Sequence, residues 1–338
     1  MSEWQNVIGH DWAVEMLAGG ITHGRIGHAY LITGPDHLGK TTLARTFAQA
    51  LNCEAEAERP CGRCRPCMLI AADHHPDVQL LEPEVSGRGK LTLKIDAIRE
   101  LQRHLNLSAH EARYKVAILK RFDAATIGAA NAFLKTLEEP PENVILLLTA
   151  NDADTLLPTI SSRCRTVNLR PLPPDLIKQS LTTRWRVAED QAHLLAHLAD
   201  GRIGWAVLAA EDKTILQTRA ANLQYLRDAL TGSRVSRFQL ADKLARKPEN
   251  LPGILQTWLS WWRDANLLAR QNGTPAALTN IDERALLEET ARTADEEAVL
   301  TALKQTDLAL WQLERNANTR LVIENLLLTY PYVMREGV

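Results

Sequence analysis

Nine consecutive residues, Gly34-Pro35-Asp36-His37-Leu38-Gly39-Lys40-Thr41-Thr42, constrain this chain more than any other stretch. They fit the pattern of a glycine, four variable residues, then Gly-Lys-Thr, which cradles phosphate only where a strand delivers the loop and a helix leaves it. The run His28-Ala29-Tyr30-Leu31-Ile32-Thr33 reads as a buried strand, and Thr41 to Leu51 reads as a helix. In that setting glycines 34 and 39 let backbone N–H groups turn inward and the helix N-terminus adds positive potential. Lys40 would reach the β- and γ-phosphates and Thr41 would hold Mg²⁺, so the candidate nucleotide-binding set is Gly34, Gly39, Lys40, Thr41 and Thr42.

A chain of 338 residues exceeds one typical domain and implies two or three. Lys and Arg total 39 against 41 Asp and Glu, so no global positive field draws it to nucleic acid, and DNA contact must come from a local patch or from partner chains. No 18-residue apolar run occurs and the first residues lack a basic, then apolar, leader, which predicts a cytoplasmic protein without a membrane partner.

Ahead of the loop, an amphipathic helix carries Trp12, Met16 and Leu17 on the side expected to pack. Behind the loop's helix stand Cys53, Cys61, Cys64 and Cys67, spaced Cys-x7-Cys-x2-Cys-x2-Cys, with Pro60, Gly62 and Pro66 forcing turns between them. Four thiolates suit a closed tetrahedral shell, which points to structural rather than catalytic zinc. Disulfides are disfavoured in a reducing compartment, and a redox Cys-x2-Cys leaves two cysteines unexplained. His74 and His75 read as capping or packing residues. A strand follows from Val78, then a Gly/Lys loop at Ser86 to Lys90, then a helix with Ile95, Ile98 and Leu101 at helical spacing.

The strand Lys115 to Leu119 is where a P-loop ATPase would next place an acidic, Mg²⁺-binding pair, but the residues are Lys120 and Arg121. Asp123 is an alternative carboxylate in a shifted register. A helix from Ala130 ends at Pro140-Pro141, and strands at 144–149 and 165–169 complete a parallel α/β sheet with nucleotide at its carboxyl edge. Ser162-Arg163-Cys164 precedes the last strand, with Cys164 expected as a small core residue. Arg170-Pro171-Leu172-Pro173-Pro174-Asp175 is a connection into further helices, and a second break falls near Asp212. Beyond it the chain reads all-helical, with Trp258, Trp261 and Trp262 as core.

With these residues in view, the chain resembles the AAA+ clamp-loader subunits of bacterial DNA polymerase III, the delta-prime type in particular. The approach His28-Ala29-Tyr30-Leu31, the four-cysteine insertion, the stretch Asn131 to Pro141 and Ser162-Arg163-Cys164 carry the resemblance, which covers about residues 5–210 strongly. It implies an α/β AAA+ module with the zinc insertion at 53–67 over residues 1–170, a small helical lid over 171–212, and a helical collar over 213–338. It also implies that Arg163 is a finger reaching ATP bound by a neighbouring subunit, a role suited to a planar, permanently charged fork. The gamma/tau relatives that hydrolyse ATP would carry Asp-Glu where Lys120-Arg121 stand here. The lid arginine of AAA+ proteins falls on Gly204 of Gly201-Arg202-Ile203-Gly204.

The expectation that follows is a delta-prime-like stator of the replicative clamp loader. Its partners are gamma/tau and delta subunits in a hetero-pentamer, the sliding clamp, and primed DNA through the complex. Structural Zn²⁺ is the expected cofactor, and ATP with Mg²⁺ is more readily bound than hydrolysed. Two rivals stand beside it: an autonomous or gamma/tau-like AAA+ motor that uses Asp123 or Glu138, and a zinc-stapled DNA-binding module gripping phosphate through Arg59, Arg63 and Arg65.

Overall fold

The computed structural model describes residues 3–85, 91–270, 278–315 and 317–333; the Gly/Lys loop expected at Ser86 to Lys90 lies outside them. The chain divides into two compact units, 1–176 with 201–205 and 177–200 with 206–338. The stretch 171–212, expected as a lid, contributes to both: 171–176 and 201–205 to the first, 177–200 and 206–212 to the second.

The first unit runs α1 (Asp11–Thr22), β1 (Ala29–Thr33), α2 (Lys40–Asn52), α3 (Arg65–Ala71), β2 (Val78–Leu81), β3 (Glu84–Val85), β4 (Leu91–Thr92), α4 (Ile95–Leu105), β5 (Lys115–Leu119), α5 (Ile127–Glu138), β6 (Val144–Ala150), α6 (Pro158–Ser161) and β7 (Arg165–Asn168). Five strands form one all-parallel sheet in the order β2-β5-β6-β1-β7, while β3 and β4 pair antiparallel. Parallel strands covered on both faces must be apolar throughout, which is why β1, β5 and β6 are buried along their whole length. Side-chain alternation sends Tyr30, Ile32, Val116, Ile118, Ile145 and Leu147 to one face, against Leu43, Phe47 and Leu51 of α2. Ala29, Leu31, Ala117, Leu119, Leu146 and Leu148 pack on the other face against Ile98 and Leu101 of α4 and Phe133 and Leu137 of α5.

The packed side of α1 differs from expectation. Leu17 is buried with Ala13, but Trp12 and Met16 are 47% and 44% exposed. Residues 13 and 17 form one i,i+4 stripe and residues 12 and 16 the next, about 100° round the helix. The stripe with the small alanine is the one packed into the core shared with α2. Cys164, half-buried, packs at the edge of the second face, and burial pushes its thiol pKa up to about 12.

The second unit takes up the chain within α7 (Pro174–Arg184), continues through α8 (Glu189–Leu198) and is re-entered within α9 (Ile203–Glu211). Then follow α10 (Lys213–Thr231), α11 (Arg234–Ala245), α12 (Leu251–Ala269), α13 (Arg284–Thr293), α14 (Glu296–Glu314) and α15 (Thr319–Thr329). Trp258, Trp261 and Trp262 of α12 are completely buried, as expected. Trp258 donates to Asn222 O at 2.7 Å, and Trp262 meets Tyr330 edge-on. Arg237, also buried, donates to the carbonyls of Leu327, Tyr330 and Pro331 and so closes the C-terminal end of α15, where helical carbonyls lack partners.

A buried carboxylate holds the entry to β5. Asp77, just before β2, accepts N–H bonds from His110, Glu111 and Ala112 at 2.8–3.0 Å. Burial alone would raise its pKa, but these bonds, with the charge of Lys115, outweigh it and leave the pKa below the ordinary carboxylate value. A carboxylate with a lowered folded pKa stabilises fully above its unfolded pKa, about 3.9, and loses that contribution as pH falls through the lower folded value. Asp77→Asn should therefore cost about 1–3 kcal/mol at neutral pH. Urea denaturation at pH 7 and near pH 3 should show the gap to wild type narrowing in acid; a gap independent of pH would contradict the assignment.

Candidate functional site

Because every strand of the sheet runs the same way, the segments that leave β1, β5 and β6 emerge side by side at its carboxyl edge. The loop after β1 has the expected strand and helix on either side. Gly34 sits at φ 134° with its Cα so near Leu169 O that an added Cβ would lie 2.6 Å from it. Gly39, at φ 94°, is the N-cap of α2. Thr41 and Thr42 occupy the first turn of that helix. Lys40 is buried and folds back on the loop, donating to Gly34 O, to Pro35 O at 2.9 Å and to Asn151 Oδ1 at 3.2 Å. Its pKa is lowered, chiefly by burial, against the raising effect of the Asp36 and Asp123 carboxylates. Asn151, just past β6, has no motif to announce it; the parallel pairing of Thr33 with Ala150 brings it to the loop, and its carbonyl accepts from Gly34 N at 3.1 Å.

At the end of β5 the two cations replacing an acidic pair are both paired. Lys120 meets Glu82 at 2.7 Å. Arg121 turns towards the loop: its Nη1 donates to Asp36 Oδ2 at 3.0 Å and its Nη2 lies 3.3 Å from Asp123 Oδ2. Its backbone is left-handed, φ 51°, and is held by Arg121 N donating to Thr149 Oγ1 at 3.0 Å. Asp123 is thus engaged with a guanidinium. The donor set where a divalent cation would sit is a cation-carboxylate network, which does not fit Mg²⁺.

Gly204 lies against the same loop. Its N–H donates to His37 O at 2.8 Å, and an added Cβ would fall 2.9 Å from that oxygen, so a long side chain at this position is incompatible with the contact. Arg163 follows α6 at the surface, more than a third exposed, paired with Glu138 at 2.8 Å and donating to Thr159 O at 2.9 Å. An exposed pair of this kind contributes about 0–1 kcal/mol, so it exchanges readily for another anion.

The four cysteines converge. Cys53 ends α2, Cys64 caps α3 and Cys67 lies within it; with Cys61 their sulfurs all lie within 4.8 Å of one another, Cys53 and Cys64 at 3.9 Å. A zinc tetrahedron with bonds of about 2.3 Å has sulfur–sulfur edges of about 3.8 Å, so the arrangement fits that ion. Amide N–H groups, that of Arg63 first, bring the Cys61 thiol down to about 6, while burial raises Cys53 and Cys67. Gln49 fixes the helix carrying Cys67 by donating to its carbonyl at 2.8 Å. His75 is buried and accepts from Asp77 N at 3.1 Å, a packing role as expected.

The fold and this edge define a class: an AAA+ α/β module, with a four-cysteine knuckle and a helical unit after it, whose P-loop survives but whose acidic pair does not. Residues 9–173 match the family model described as DNA polymerase III, delta subunit, and residues 213–330 match the model for the C terminal region of the delta subunit. The delta-prime subunit of Escherichia coli K12 is 32% identical over 96% of this chain and 95% of its own length. That of Pseudomonas aeruginosa PAO1 is 39% identical over 48% of this chain, which spans 46% of that protein's length. A Mycobacterium tuberculosis gamma/tau subunit is 32% identical over 56% of this chain and 32% of its own length. A solved gamma subunit-related protein of Thermotoga maritima aligns over 94% of the chain at 22% identity and a TM-score of 0.46. The chain belongs to the delta-prime family of DNA polymerase III clamp-loader subunits.

The knuckle generates a direct expectation: elemental analysis of protein purified under reducing conditions should find about one zinc per chain. Cys61→Ser should lower that content and the melting temperature of the protein, since structural zinc contributes its binding energy to folding. Protein free of zinc with unchanged stability would refute the assignment.

Proposed function

We propose that this chain is the stator of a replicative clamp loader, assembled with gamma/tau-like and delta-like subunits into a hetero-pentamer that uses ATP to place a sliding clamp on primed DNA. In this reading it works in the cytoplasm, binds nucleotide through Gly34, Gly39, Lys40, Thr41 and Thr42 without turning it over, and presents Arg163 to the ATP of the adjacent subunit. The observation that carries it is Arg121. A guanidinium paired to Asp36 and Asp123 stands where a hydrolysing site needs carboxylates to hold metal and orient water.

Further features support the remaining roles. Arg163 is exposed and only weakly held by Glu138, as a group that must leave its own surface requires. Zn²⁺ on Cys53, Cys61, Cys64 and Cys67 is structural, with no open position. On the last two helices Leu308, Trp311, Leu321 and Leu328 remain exposed, apolar surface that a collar made by residues 213–338 would cover. Among the described residues no helix is long and apolar enough to cross a membrane.

If the stator reading holds, the purified chain turns over ATP no faster than its Lys40→Ala variant; turnover abolished by that substitution would make it a motor instead. Arg163→Ala should assemble normally yet slow clamp-dependent ATP hydrolysis of the reconstituted complex about tenfold or more, since such fingers supply roughly 10³- to 10⁵-fold in other NTPases. Arg163→Lys should rescue little, because an ammonium keeps the charge but not the two-pronged geometry. Full activity of Arg163→Ala at matched assembly would remove the finger role.

A further inference from the structure

The loop and the end of β5 are tied together by one carboxylate. Asp36 offers Oδ2 to Arg121 Nη1 at 3.0 Å, and its Oδ1 lies 3.8 Å from Lys40 Nζ. It therefore bridges two cations on either side of the phosphate cradle. Lys40 is buried, whereas the Asp36 side chain, on a loop, is more than a third exposed and in reach of water. Arg121 is held more closely. Its left-handed backbone is fixed by Thr149 and its Nη2 by Asp123, whose side chain is only 12% exposed. The buried Nε of Arg121 has no hydrogen-bond partner. With its backbone in the left-handed region, Arg121 presents its guanidinium to the loop as a fork of donors.

We propose that Arg121 takes the place of the divalent cation in this P-loop, so that Lys40, Arg121 and the loop amides bind a nucleoside di- or triphosphate free of metal, and that Asp36 is a built-in competitor displaced by the polyphosphate. The inference rests on the reading that the loop binds nucleotide and specifies the form in which it does so. A triphosphate carries its own charge to two cations that Asp36 alone now bridges. A metal-bound triphosphate would instead bring a dication beside the Arg121 guanidinium, with Asp123 still held by that guanidinium.

The test is equilibrium binding of ATP, ADP and inorganic pyrophosphate to the full chain by calorimetry, in excess EDTA and in excess Mg²⁺. Wild type should bind at least as tightly in EDTA as in Mg²⁺. Asp36→Asn should tighten binding in EDTA by about tenfold, because it removes the competitor while keeping shape. Arg121→Ala should weaken binding in EDTA by about tenfold or more, and Arg121→Asp should make binding depend on Mg²⁺. Asp36→Asn, a gain, does not depend on whether the Arg121 variants fold. Binding that requires Mg²⁺ in wild type and is unmoved by Asp36→Asn would overturn the proposal while leaving nucleotide binding intact. If neither wild type nor Asp36→Asn binds any of the three probes in either condition, the nucleotide reading and this proposal fall together.

Discussion

Everything at the candidate site depends on the sheet being parallel and covered on both faces. Burial on two sides demands continuous apolar strands, and β1, β5 and β6 supply them. Uniform direction then gathers all strand ends at one edge, so the P-loop, Lys120-Arg121 and Asn151 meet although more than 100 residues separate the first from the last. The chemistry is carried by loops, but the hydrogen-bonded register of the strands sets where those loops begin.

Charge at that edge is balanced without metal. Lys40 and Arg121 face Asp36 and Asp123, while Lys120 is taken by Glu82. Cations stand at the end of β5 where the resemblance implies carboxylates, and the two differ in kind, since a carboxylate pair recruits a dication and a guanidinium repels one. At the same edge Gly204 approaches the His37 carbonyl to hydrogen-bond distance, so an added Cβ would fall 2.9 Å from that oxygen.

Away from the edge, each unit solves a different packing problem. The knuckle at 53–67 has little apolar surface of its own; its four sulfurs converge at spacings that suit a metal, and Gln49 of α2 holds the helix that carries Cys67. The second unit buries three tryptophans in one helix, and the buried Arg237 satisfies carbonyls at the end of α15 that would otherwise lack partners. Membership in the delta-prime family fits this division, the first unit carrying the parallel sheet and its P-loop and the second, among the described residues, built of helices alone.

Local pattern was enough to read much of this from the residues. The strand-loop-helix around Lys40, the five strands, the four-cysteine cluster and the tryptophan core all follow from apolar runs, turn residues and spacing, which are properties of neighbours in sequence. The sequence also showed that Lys120 and Arg121 replace acids, but not what they do there, since Asp36 lies 85 positions from Arg121 and only strand order brings them together. Asn151 and Glu138, as partners of Lys40 and Arg163, carry no local signal for the same reason. Trp12 and Met16 show the limit from the other side: helical periodicity finds an apolar face, but which of two adjacent stripes is buried is decided by the helix it packs on. Sequence fixes the elements and their chemistry because those are set by near neighbours; pairings across the fold are set by strand register and packing, which exist only once the chain has folded.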